Sequence, residues 1–262
     1  MHINYIQKYV STTGVTNRSL GGPLEKSLQN AVKTVCTIAN NNNYEMGLVI
    51  SPGYLSTQQN TADDLVNEIT KGLIKGEKIS NCWILGTMNG DNKPTKQSKY
   101  SKILNFTVSA FRKVSTVTIQ PNLIKSPAPF AKDHRKMFFI LLWKNKSLKP
   151  VLKGKGDIST FIKNVVVPVA TIGSSNFSRS TYFLGNDHNE SDILWIDDDV
   201  LNKINNTNNQ IYNDEILPNN YLSPSNNGVP IIVSATVNSL KKNNISNYLR
   251  LILEQTLKTV LS

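Results

Sequence analysis

His134 and Lys136 stand two residues apart, and the chain after them, Met137 to Trp143, is an unbroken apolar and aromatic run of buried-strand type. Side chains alternate along a strand, so residues at i and i+2 project from one face. Both can then touch a single phosphate, the imidazole as a proton carrier or nucleophile and the ammonium as a compact cation. Some forty residues on, a second apolar run from Val165 to Ile172 ends in Gly173-Ser174-Ser175-Asn176. It supplies small hydroxyl and amide donors where a strand meets a loop.

An H-x-K followed by a G-S-x-N, each at a strand edge, resembles the active-site motif of the phospholipase D superfamily, which includes lipases, tyrosyl-DNA phosphodiesterases and small nucleases. The likeness is to one motif copy and runs from about Asp133 to Ile196. The superfamily pattern carries an Asp five residues after its lysine, where this chain has Leu141, and here acids follow the second motif instead, at Glu190 and Asp192. That departure looks more like the superfamily's nucleases, its metal-independent restriction endonucleases among them, than like its lipases. The resemblance implies an α/β fold, a phospholipase D-like mixed sheet flanked by helices with one catalytic motif per chain. It also implies a single catalytic domain over 1–262, in which composition and periodicity mark a loop-rich segment at about 197–229 and a C-terminal strand and helix at about 230–262.

In that superfamily one histidine forms a phosphohistidine while another protonates the leaving oxygen, roughly in line across phosphorus. This chain has no internal repeat and no second H-x-K. The resemblance therefore implies that a two-fold axis brings His134 of two subunits together, making a homodimer with one composite site. Lys136 would hold a non-bridging oxygen, and Asn176 with Ser174 would add neutral hydrogen bonds. Glu190 would accept the proton of the other imidazole nitrogen and fix the tautomer. Asp192 competes for that role, since the two acids share a side by strand parity; Glu190 is preferred because it leaves the loop. Ser175, Arg135 and Arg179 flank the site as substrate-binding candidates, with Arg179 equally readable as a surface residue. Lysine and paired imidazoles would carry the electrostatics, so neither a metal nor another cofactor is expected.

The formal net charge of +11 and pI near 9.5 favour a polyanionic partner. Between Lys132 and Lys155 there are eight basic residues and one acid, Asp133, so positive charge is densest beside the motif. Such a run reads both as a solvated loop and as a track for a DNA backbone. At 262 residues the chain buries a substantial core but has little room for a second domain that reads sequence, so a separate specificity or helicase subunit is a further expected partner. Cys36 and Cys82 sit in apolar surroundings and read as buried free thiols in a reducing compartment. No run reaches the ~18 apolar residues of a membrane span, and the start of the chain lacks the pattern of a leader, so a cytoplasmic protein with no membrane partner is expected.

The leading expectation is a metal-independent DNA phosphodiesterase, a restriction or defence nuclease. One competitor is a phospholipase using the same site, which calls for an apolar entrance. Another is a non-catalytic nucleic-acid-binding relative, and Leu141 is the residue in its favour. His188, in a polar stretch, reads as solvated, and Asp197-Asp198-Asp199 as a loop.

The periodicity that must position these groups alternates between helix and strand. Leu24, Leu28, Ala31, Val32, Val35 and Ile38 predict a helix that stops at the Asn40–Asn43 run. Met46 to Ser51 predicts a strand closed by Pro52-Gly53. Thr61 is expected to cap a helix bearing Leu65, Ile69 and Leu73. Cys82–Leu85 reads as a strand, 90–94 as a loop, Ile103–Phe111 as a helix and Thr116–Ile119 as a lead into the proline-containing loop before His134. Pro230–Val237 predicts a last strand, and the stripe Ile245, Leu249, Ile252, Leu253, Leu257 and Val260 a last helix docked on the sheet or on another subunit.

Overall fold

The computed structural model describes residues 2–8, 23–85, 94–114, 136–144, 155–174, 176–178, 190–207, 231–236 and 239–261. Along the chain the elements run β1 (His2–Lys8), α1 (Pro23–Asn41), β2 (Glu45–Pro52), α2 (Gln59–Thr70), β3 (Asn81–Ile84), α3 (Pro94–Lys113), β4 (Lys136–Trp143), α4 (Lys155–Lys163), β5 (Val166–Gly173), β6 (Glu190–Ile196), α5 (Asp198–Asn205), β7 (Ile231–Thr236) and α6 (Ser239–Leu261). The strands form one seven-stranded sheet in the order β3-β2-β4-β5-β6-β1-β7. Only β2 and β3 pair in parallel, across α2; the other neighbours are antiparallel. This is a mixed open sheet with helices on both faces, the α/β class expected from the sequence.

Strand β4 explains the layering. Its apolar run is uninterrupted because both faces are covered. Phe138, Ile140 and Leu142 join a core with α1, α2, α3 and α5, whereas Met137, Phe139, Leu141 and Trp143 join a second core with α4 and α6. Trp83, Trp143 and Phe161 build the second layer with ring centroids 5.5 to 6.4 Å apart. Gly47 has no side chain where that layer is tightest, since a Cβ there would lie 2.7 Å from the Trp83 ring. Leu249, Leu253 and Leu257 bury one stripe of α6 in it, so the last helix docks on the sheet. Glu254 ties α6 to α4 by accepting from Ser159, 2.6 Å away. Both cysteines are buried free thiols, and burial pushes the Cys36 thiol up to about 12 and the Cys82 thiol higher still.

Several sequence expectations need correction. Strand β1 was not anticipated, because its seven residues mix polar and apolar types and its partners, β6 and β7, are remote in sequence. The cap of α2 is Gln58 rather than Thr61, whose hydroxyl donates instead to the Gln58 carbonyl at 2.8 Å. Asp197-Asp198-Asp199 is not a surface loop: Asp197 is the N-cap of α5 and accepts from Val200 N at 3.3 Å, with the next two acids in the first turn. Carboxylates there satisfy open amides and face the positive end of the helix dipole. The loop-rich segment thus begins with a helix, and 208–230 lie outside the described residues, as do 86–93 and 115–135. No helix among the described residues is long and apolar enough to cross a membrane.

Candidate functional site

Antiparallel pairing brings the two motifs to one end of the sheet. Pro52 pairs with Lys136, Lys136 with Gly173, and Gly173 with Asp192, so a single row crosses β2, β4, β5 and β6. At that row β2 and β5 end while β4 begins. Lys136, Phe138, Thr171 and Asp192 lie on one face by strand parity, and together with Leu24, Ile50 and Phe177 they line a small recess of about 10 Å³, room for no more than about one water. Leu24 belongs to the first turn of α1, which lies over this face.

Gly173 is where the row needs no side chain. A Cβ there would collide with Asp192 Oδ1 and sit 2.5 Å from the Ser191 carbonyl oxygen. The Asp192 carboxylate therefore leans over β5, the strand that separates it from Lys136. Asp192 is 4% exposed, and a carboxylate that deep needs a cation or hydrogen-bond donors around it. Ser174 closes the same junction. Its backbone N–H donates to Ser191 O at 2.9 Å and its Oγ accepts from Ser191 N at 2.8 Å. The expected substrate contact of Ser174 is thus shared with a clamp between β5 and β6, although its hydroxyl proton still makes it a donor.

Asn176 is held from the other side. Its Oδ1 accepts from Tyr54 N at 3.0 Å, Phe177 N donates to Pro52 O at 3.0 Å, and Leu55 and Phe177 form a parallel bridge. Phe177 is buried and stacks between Phe138 and Phe111 at 6.5 and 6.4 Å, so the residue after Asn176 is a core plug. Gly53 has φ of +60°, in the left-handed region that favours glycine. A Cβ on it would lie 2.6 Å from Asn176 Oδ1 and 2.8 and 3.0 Å from Lys136 Cγ and Cε. Asn176 and Lys136 therefore flank one point.

Of the residues expected from sequence, the structure gathers Lys136, Ser174 and Asn176 at this end of the sheet, with Asp192 beside them. Glu190 opens β6 two residues outward of Asp192 and pairs with Lys8 of β1; its side chain lies outside the described residues. His134, Arg135, Ser175 and Arg179 lie outside them as well. Among the described residues no group of three or more His, Cys, Asp or Glu is placed to hold a metal ion. Sequence reasoning missed the Gly53-Tyr54 turn. Its one signal was the Pro52-Gly53 pair, read only as the end of a strand.

No protein-family model, curated protein or solved structure matches this chain. Function has then to be inferred from the chemistry and placement of these side chains.

Proposed function

We propose that this chain is a metal-independent phosphodiesterase of phospholipase D type that cleaves DNA in a composite homodimer site. The observation that carries the reading is the row Lys136–Gly173–Asp192, which joins motifs forty residues apart in sequence at one sheet end. Lys136 holds a non-bridging phosphate oxygen, and the Asn176 amide adds a neutral donor as charge builds on the phosphorane. His134, two residues before Lys136, attacks phosphorus; a P–N bond forms, the P–O bond breaks, and the partner subunit's His134 gives its proton to the leaving oxygen. Water then displaces the histidine. Glu190 and Asp192 share a face of β6, and Glu190 lies as far outward of Asp192 as His134 lies, in sequence, from Lys136. That matching step keeps Glu190 as the acceptor for the imidazole N–H, with Asp192 holding Lys136 in place. The +11 charge and the basic run after Lys132 suit a nucleic-acid backbone better than a lipid interface.

Leu141 was the ground for a non-catalytic relative. It packs in the core under α4 and α6, on the face away from Lys136, so its identity does not bear directly on the phosphate site.

The test is incubation of the purified protein with DNA in excess chelator. Cleavage is expected, and His134→Ala should lower it by at least about 10³-fold with the melting temperature and dimer unchanged. Cleavage that appears only on adding magnesium, or a protein that is strictly monomeric, would refute the proposal.

A further inference from the structure

We infer that the Gly53-Tyr54 turn is a positioning element that sets the Asn176 amide, holding its oxygen at the turn and leaving its nitrogen, with the Lys136 ammonium, as the donors for an anion. The inference rests on the reading of Lys136 and Asn176 as the phosphate-binding pair. An asparagine amide can present either its oxygen or its nitrogen, and only the nitrogen end suits an anionic oxygen. The Tyr54 N–H can only donate, so the amide end it meets at 3.0 Å is the oxygen. Nδ2 is left as the end that can serve a ligand. Backbone pins both sides of this contact, because Phe177 N bonds Pro52 O and Phe177 is locked in the core. The amide is thus oriented before any ligand arrives, and orientation paid for in folding is not paid for again on binding or in the transition state.

Gly53 is the residue on which this depends. Its φ of +60° brings Tyr54 N to Asn176, and its lack of a Cβ leaves room for the Asn176 oxygen at 2.6 Å and the Lys136 stem at 2.8 Å. A methyl group there meets two neighbours of different mobility. The lysine stem is flexible and can swing aside. Asn176 Oδ1 cannot move without giving up the Tyr54 N–H.

Two substitutions separate this role from simple backbone strain. Gly53→Ala adds both a Cβ and an unfavourable φ, whereas Gly53→Asn adds the same Cβ on a residue that tolerates the left-handed region. Tungstate, a phosphate-like oxyanion, titrated by calorimetry is the probe, with Asn176→Ala and the Gly53→Asn/Asn176→Ala pair completing a cycle. The expected result is a melting temperature for Gly53→Asn near that of the wild type, with tungstate affinity about ten-fold weaker, as for loss of a hydrogen bond to a charged group. In the Asn176→Ala background Gly53→Asn should cost no more than about two-fold. On DNA the variant should lose kcat, by roughly 100-fold, more than KM. Wild-type tungstate affinity in Gly53→Asn, or a full ten-fold loss on top of Asn176→Ala, would overturn the inference. Failure of the nuclease reading looks different: the tungstate cycle holds and no DNA is cut. A wild-type protein that binds no tungstate would overturn both.

Discussion

Leu141 stands where the superfamily pattern has an aspartate, so replacing it separates a core position from a lost catalytic acid. It is fully buried on the interior strand β4, in the layer built by Trp83, Trp143 and Phe161. Leu141→Ala removes most of a side chain from a site whose backbone pairs with Gly47 of β2 and whose neighbours Ile140 and Leu142 pair with β5 on either side of a register shift. Such truncations cost about 2–5 kcal/mol, because the transfer loss is joined by a cavity that cannot fully collapse. In a chain of this size each kcal/mol lowers the melting temperature by about 2–4 °C, so a drop of roughly 5–15 °C is expected. Leu141→Asp should be worse, since an unpaired buried carboxylate must be desolvated or neutralised at a cost comparable to the ~5–15 kcal/mol that holds a domain together. The assay is a thermal melt by circular dichroism, paired with DNA cleavage in chelator at a temperature where Leu141→Ala is still folded. There kcat should stay within about two-fold of the wild type, because the proposed phosphate site lies on the other face. A variant that melts normally but loses cleavage, or a folded Leu141→Asp that cleaves faster, would refute this placement.

Two further predictions concern groups away from the row. With the Cys36 thiol pushed up to about 12 and Cys82 higher, almost no thiolate exists at pH 8, so a thiol reagent such as Ellman's should label neither cysteine rapidly in the folded protein and both in guanidinium; rapid native labelling of either would contradict their burial. The Glu254 carboxyl is held below its usual range, first by the Lys258 ammonium that donates to it and then by Ser159. A depressed pKa stabilises the fold at pH above the unfolded value, and the gain is lost as pH falls through the folded one. Glu254→Gln should thus melt slightly lower than wild type at neutral pH, by less than ~1 kcal/mol for so exposed a pair. The difference should vanish in acid, and one that persists there would show that packing, not charge, is responsible.

The long, strongly patterned elements were legible in the sequence, because β2 and β4 bury nearly everything they carry, α1 buries one apolar face and β5 its middle, and each advertises it as a clean period or run. Strand β1 was not. Residues 2–8 alternate only over His2-Ile3-Asn4-Tyr5 before Ile6-Gln7-Lys8 breaks the pattern, too short a signal by itself, and their strand state comes from insertion between β6 and β7, which is tertiary context. The acids at 197–199 misled in another way, since clustered charge reads as solvated until the apolar Leu201 and Ile204 that follow are seen as one face of a short helix. At the candidate site, residue types pointed to Lys136, Ser174 and Asn176, while Asp192, ranked behind Glu190 in the sequence reading, is the acid that the sheet puts in their row. Gly53 and Tyr54 could not be found that way, because Tyr54 acts through its backbone amide and Gly53 through an absent side chain.

What brings Lys136 and Gly173 to one end of the sheet is strand polarity. Lys136 opens an eight-residue strand and Gly173 closes another, so the two meet only if β4 and β5 run in opposite directions in register, as they do. In a parallel pair the same residues would lie at opposite ends, about 25 Å apart at ~3.3 Å per residue. No single phosphate could then touch both Lys136 and Asn176. The register shift between Ile140 and Leu142 falls at the far end of the pair, near Pro168, which has no amide to give the ladder. The irregularity is thus absorbed away from the row, and the stretch from Lys136 to Ile140 keeps the one-to-one pairing that holds Lys136, Gly173 and Asp192 in line.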